Sequence, residues 1–271
     1  MNDQIVAEIA YVARSADPSA PRPRYHANDQ SRDTVVLDPK LMPITSARGG
    51  GATLDSLGFE LVAHESAVRD WHDKAEIMAR HAPEIIGLLR AQTRADAVVV
   101  TSPGLLRFSE RSGRAGSLSN SRPARFAHVD VSEATARAFA ARSQPEGRPP
   151  LRFAHYNVWR ALSAPPQDVP LAVCDARSVA ANDLLPADAV FDEPDTPEWS
   201  FEGLVVAHNP AHRWMYFPDM HAGEALIFKT YDSDPARARC VPHVAFDNPA
   251  CPSEAPPRMS IEMRATAYWF A

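Results

Sequence analysis

Three short patterns in this chain could do chemistry together. Arg125-Phe126-Ala127-His128-Val129-Asp130 ends a β-type run, and in an extended backbone residues two apart share a face. His128 and Asp130 therefore point one way and Val129 the other. An imidazole and a carboxylate so placed supply two of the three ligands of a facial metal site that leaves positions open for substrate or oxygen. The competing reading of the triplet alone is a surface turn with a solvated Asp. Val241-Pro242-His243-Val244-Ala245-Phe246 puts His243 on a short apolar run that could lie opposite His128 in a barrel. Arg258-Met259-Ser260-Ile261 turns a guanidinium fork and a hydroxyl to one strand face, a good receptor for a carboxylate because Arg can hold both oxygens at once.

Other polar residues are candidates with a plainer alternative beside each. Asn157 shares a face with Trp159, and Tyr156 with Arg160; Asn157 is read as a co-substrate or substrate contact, or as a buried amide satisfying backbone groups. A buried Lys229 needs an anion, which the co-substrate, an acidic substrate or a neighbouring Asp or Glu could provide. Tyr216 could hydrogen-bond a co-substrate or be a core aromatic. Glu262 and Arg264 continue the face of Arg258 and read as a cross-strand charge pair. Pro210 argues against a helical zinc pair at His208 and His212, and Cys240, His243 and Cys251 lack a fourth ligand at zinc-site spacing.

These side chains need a frame. After Ala95 the chain reads as short β-type runs: 97–101, 125–129, 151–162, 171–174, 201–207, 214–217, 225–231 and 259–270, with one helix from Ser132 to Ala141 capped by Ser132. Before them, residues 65–93 carry a helical pattern, with two helices expected to meet at Pro83. Residues 14–33, with Pro18, Pro21 and Pro23, read as an extended arm closed by Gly49, Gly50 and Gly51. The expected plan is one domain, mainly β: an N-terminal arm (1–51), a helical layer (52–95) and a β-barrel core (96–271).

A chain of 271 residues can bury a sizeable core without disulfides. Its net charge of −6 argues against a phosphate-backbone partner. No export signal and no apolar run of about 18 residues is visible, so neither secretion nor a membrane is expected. Three cysteines, an odd count, suit reduced thiols in a cytoplasm. A small-molecule substrate is the expected partner, and a homodimer is allowed. The Ser-, Arg- and Gly-rich stretch 109–121 suits either a mobile lid or a disordered loop.

The order and spacing of His128-x-Asp130, His243 and Arg258-x-Ser260 resemble the non-haem iron(II), 2-oxoglutarate-dependent oxygenases. Thr53 to Val62, Tyr156 to Arg160, Pro170 to Asp175, Trp214 to Pro218 and Phe228 to Ser233 look more specifically like the hydroxylase/desaturase family of bacterial and fungal secondary metabolism. That family includes the small cephamycin methoxylation component, the aspergillic acid hydroxylase type and the fungal gibberellin desaturase. The resemblance runs from residue 53 to about 268; one departure is Ala161-Leu162, where a Pro is expected after Arg160. It implies a double-stranded β-helix of the jelly-roll or cupin kind, with Fe(II) on His128, Asp130 and His243. It also implies that 2-oxoglutarate reaches Arg258 and Ser260 with its far carboxylate, that O2 is consumed, and that succinate forms as a substrate carbon is hydroxylated or desaturated. Two alternatives stand beside it: a cupin-like metal oxygenase without 2-oxoglutarate, and a non-catalytic partner subunit of a two-component oxygenase.

Overall fold

The computed structural model describes residues 4–17, 19–145, 147 and 149–271; Pro18 of the expected arm lies outside the described residues. Among the described residues fifteen strands follow one another: β1 (Gln4–Val12), β2 (Arg24–His26), β3 (Leu37–Ser46), β4 (Phe59–Ala63), β5 (Ala97–Val100), β6 (Leu105–Phe108), β7 (His128–Val129) and β8 (Arg152–Ala161), then β9 (Leu171–Cys174), β10 (Leu184–Phe191), β11 (Trp199–Val206), β12 (Trp214–Tyr216), β13 (Glu224–Asp232), β14 (His243–Ala245) and β15 (Met259–Trp269). They form a nine-stranded sheet in the order β1-β3-β12-β9-β14-β7-β11-β10-β2 and a six-stranded sheet in which β4-β13-β8-β15-β5 are neighbours and β6 also pairs with β15. Most pairings are antiparallel; the two sheets curl around a shared interior as a double-stranded β-helix, the jelly-roll core.

Alternation along each strand decides which residues face that interior. On β8, Trp159 and Ala161 pack with Val173, Phe217, Phe228 and Val241 between the sheets, whereas Tyr156 and Val158 face outward onto Ile85 and Leu89. The outward layer is one helical run: a turn at Lys74–Glu76 (α1) capped by the Asp73 carboxylate, a π segment at Ile77–His81, and α2 (Ala82–Thr93). Pro83 does not separate two helices as expected. It sits at the start of α2, where the Ala82 amide donates to the Ile77 carbonyl across the wide turn, so the chain passes through without a break. Ser132 caps α3 (Glu133–Ser143) as the sequence predicts, its Oγ accepting from the Thr135 amide.

The N-terminal segment departs from the expected arm. β1 pairs with β3 over nine residues, β3 joins β12, and Ile9, Tyr11, Met42 and Ile44 are buried against Trp214, so this segment is part of the large sheet. Burial alternates along both strands, but apolar Val6, Leu37 and Leu41 stand on the exposed face and prolines interrupt β3, which hides the strands from a periodicity reading. A strand at 59–63 also lies inside the expected helical layer. Stretch 109–121 is tied down rather than open: Ser121 Oγ accepts from the Gly116 and Leu118 amides, and the Arg111 guanidinium donates to the Ser253 and Ala255 carbonyls.

Candidate metal centre

β7 and β14 are neighbours in the large sheet, with His128 and His243 directly opposite. Each imidazole donates from Nδ1 to a carbonyl two residues before it, Phe126 O at 3.0 Å and Val241 O at 3.1 Å. A carbonyl can only accept, so both rings carry their proton on Nδ1 and present an Nε2 lone pair to the interior. Asp130 Oδ1 lies 3.8 Å from Nε2 of His128 and 3.9 Å from Nε2 of His243. The donor atoms of the three residues all lie within 4.8 Å of one another, and all three residues are buried.

The electrostatics keep these donors ready for a cation. Burial, with His243 beside it, pushes the His128 imidazole down to about 3, and burial lowers His243 as well, so both rings are neutral at pH 7. Burial works to raise the Asp130 carboxyl, but Arg264 and the two histidines outweigh it and hold it below its ordinary value, so it is ionised. Two neutral imidazoles and one carboxylate are the donor set of a facial iron(II) site. Its fit to a cation rests on the chemistry of that donor set: both Nε2 lone pairs and Asp130 Oδ1 converge in a buried cluster, while Oδ2 is turned to Arg264.

The wall facing this cluster is β15. Arg258, Ser260, Glu262 and Arg264 alternate with Met259, Ile261 and Met263; Ile261 and Met263 belong to the core under the helices, which leaves the polar set turned inward. Arg258 is fully buried. Its Nη1 donates to Val169 O at 2.6 Å, its guanidinium lies 5.9 Å from the Trp159 ring centroid, and its Nε has no partner. Burial, with Arg107 and Arg125 nearby, pushes it down to about 10. Ser260 Oγ is buried and unpartnered too. Among the described residues, both amide atoms of Asn157, Arg258 Nε and Ser260 Oγ are buried without a hydrogen-bond partner. Such groups cost about 1–3 kcal/mol each unless a ligand completes them. The small cavity beside them is lined by His128, Asp130, His243, Trp159, Arg258 and Arg264 among others.

The remaining expected site residues divide. Asn157 lies between Phe228 and Arg264 in the small sheet, on the inward face with Trp159, and both its amide atoms are unpartnered. Tyr216 does not reach the site: it pairs with Ala172, on the face opposite Val173 and Met215, and packs edge-on against Phe246. Lys229 is likewise no co-substrate contact, because its Nζ is spent on Asp232 at 2.6 Å and Asp55 at 3.2 Å on the outer face of β13. The plainer reading holds for both. His212 bonds Asp183 and Tyr11 in a buried network away from the cavity. Arg107 went unsingled in the sequence because β6 is only four residues long, yet it lines the cavity and pairs with Glu262 at 3.0 Å.

Gly203 lies against the backbone of Asp130. A methyl there would stand 2.6 Å from the Tyr25 hydroxyl and 3.1 Å from the Asp130 carbonyl, so β11 approaches the Asp130 backbone only because this residue has no side chain.

Comparison with known proteins agrees with this arrangement. Residues 9–268 match a family model described as Oxidoreductase/YMDC permease-like domain; among the described residues no helix is long and apolar enough to cross a membrane. The Fe(II)/2-oxoglutarate-dependent dioxygenase nvfI of Aspergillus novofumigatus is 31% identical over 199 residues, 72% of this chain and 69% of the relative. The hydroxylase/desaturase CTB9 of Cercospora beticola is 33% identical over 237 residues, 80% of this chain and 72% of the relative. A solved structure of the iron and alpha-ketoglutarate-dependent endoperoxidase NvfI has the same fold, with a TM-score of 0.85 at 24% identity, covering 100% of this chain and 99% of that one. A jelly-roll that brings two imidazoles and a carboxylate together, with relatives of this kind along most of its length, makes this chain a member of the family of Fe(II)/2-oxoglutarate-dependent dioxygenases and hydroxylase/desaturases.

Proposed function

We propose that this protein hydroxylates or desaturates a small metabolite, with iron(II) held by His128, Asp130 and His243 and the far carboxylate of 2-oxoglutarate held by Arg258 and Ser260. The observation that carries the reading is the inward wall of β15: a fully buried guanidinium and a buried hydroxyl, each with an unpartnered polar atom, beside a buried His-Asp-His cluster. Iron(II) there supplies the oxygen activation by which 2-oxoglutarate is decarboxylated to succinate and a substrate carbon is oxidised.

The chain's own residues then have defined tasks. Arg258 gives 2-oxoglutarate a charged hydrogen-bonding anchor, and Ser260 adds a buried, otherwise unpartnered hydroxyl donor. The Phe126 and Val241 carbonyls fix both imidazoles. Phe228, its ring tilted against His243 at 4.6 Å, and Trp159 put apolar surface beside the cluster. Asn157 is assigned a contact with the co-substrate or substrate, supported by its two unpartnered amide atoms on the inward face. A cytoplasmic location belongs to the same reading, supported by the three unpaired thiols.

The test is anaerobic addition of iron(II) and 2-oxoglutarate, watching for a weak visible charge-transfer band, followed by oxygen and assay of succinate. A metal-loaded protein giving neither band nor succinate overturns the proposal.

A further inference from the structure

The carboxylate of Asp130 is shared between two environments. Oδ1 faces the two Nε2 atoms, and Oδ2 faces Arg264, whose Nε stands 3.2 Å from it while Nη2 lies 3.3 Å from Oδ1. Arg264 is held from behind by Glu262 Oε1 at 2.9 Å, and Glu262 in turn takes a two-pronged contact from Arg107, at 3.0 Å and 3.3 Å. The third Arg107 nitrogen, Nη1, donates to the Asn120 and Arg122 carbonyls. The result is a run of alternating charge, Arg107, Glu262, Arg264, Asp130, along one wall of the cavity.

We propose that Arg264 is a positioning residue: lying along both oxygens of Asp130, with Nη2 bonded to Oδ1 and Nε paired with Oδ2, it holds the carboxylate in the orientation in which Oδ1 faces the two imidazoles and Oδ2 is kept back, so that a bound cation would be gripped by one oxygen and room would be left for 2-oxoglutarate and oxygen. The inference rests on the iron reading above and deepens it. A carboxylate can grip a cation with one oxygen or two, and a second oxygen would occupy a position the chelating keto acid needs. A guanidinium beside a ligand of a divalent cation is repelled by that cation, at a distance where the repulsion is not negligible. Glu262 answers that repulsion, which gives the buried Glu a role that an isolated ion pair to Arg107 would not require. Arg suits the position better than Lys because its planar fork reaches Asp130 and Glu262 together.

The experiment uses cobalt(II) in place of iron(II) and measures two affinities by titration: cobalt(II) for the empty protein, then 2-oxoglutarate for the cobalt-loaded protein. In Arg264→Met, 2-oxoglutarate should bind about 10- to 100-fold more weakly while cobalt(II) affinity is held or rises, and Arg264→Lys should recover part of the loss. An unchanged 2-oxoglutarate affinity in the Met variant overturns the proposal, as does a parallel loss of cobalt(II), which would make Arg264 merely part of the scaffold. Should the Met variant not fold, Glu262→Gln decides: it keeps Arg264 but releases it, and is expected to weaken 2-oxoglutarate without weakening cobalt(II), an unchanged affinity again overturning the idea. Failure of the unaltered protein to bind cobalt(II) at all would instead overturn the iron reading, and this inference with it.

Discussion

His128 and His243 are cross-strand partners on one rung of the large sheet, their ring centroids 4.3 Å apart. Two residues far apart in the chain thus owe their meeting to a single backbone register. A slip of one residue in β14 would send His243 to the other face and bring Val244 inward.

His243→Ala should leave a folded protein that no longer holds one equivalent of metal. Metal analysis after anaerobic loading, with circular dichroism as the fold control, checks this. Full metal occupancy in the variant would mean that the cation binds elsewhere.

Arg258→Met separates the co-substrate from the fold. A buried guanidinium without a carboxylate partner is costly, so the empty protein should lose little stability. The unaltered metal-loaded protein should gain about 2.7 kcal/mol from 2-oxoglutarate at a hundredfold excess over its dissociation constant; the variant should gain nothing. Thermal melts with and without the keto acid read both quantities.

Lys229→Met should behave in the opposite way. It leaves Asp232 buried with Arg152 as its remaining cation, and breaking a buried pair from one side costs about 3–5 kcal/mol. Where the variant stays folded, 2-oxoglutarate affinity should be unchanged, which a titration can show.

Stability should begin to fall with acid above the ordinary carboxylate range. Burial pushes His81 down to about 4, despite its contact with Glu84, and burial also lowers His155. Between the ordinary value near 6.5 and the lowered one, the unfolded chain binds a proton that the folded chain refuses. Each such group therefore removes up to about 1.4 kcal/mol per pH unit as pH drops through that window. Denaturant melts of the metal-free protein from pH 7.5 to 4.5 should show this slope, and His81→Gln should flatten it by the contribution of one proton.

Much of the site was legible because strand alternation is local. His128 with Asp130, and Arg258 with Ser260, needed only the two-residue period of an extended chain, and Ser132 announced its helix by its own side chain. What stayed hidden depends on pairing. Whether Tyr216 or Met215 faces the interior is set by which strand lies alongside, and Lys229 finds its partners only across the fold from Asp55 and next to a shift in register after Lys229. The strands at 4–12 and 37–46 escaped because their outer faces carry Val6, Leu37 and Leu41 in the open, which blurs the expected alternation.

The bare backbone at Gly203 has a consequence for engineering the cavity. Enlarging the pocket by trimming its visible walls leaves the seat of Asp130 alone, whereas adding one carbon beneath it would lift Tyr25 and the carboxylate together. The tolerance of this enzyme to redesign is therefore set from below, by an atom that must stay missing, more than by the bulky residues a designer would reach for first.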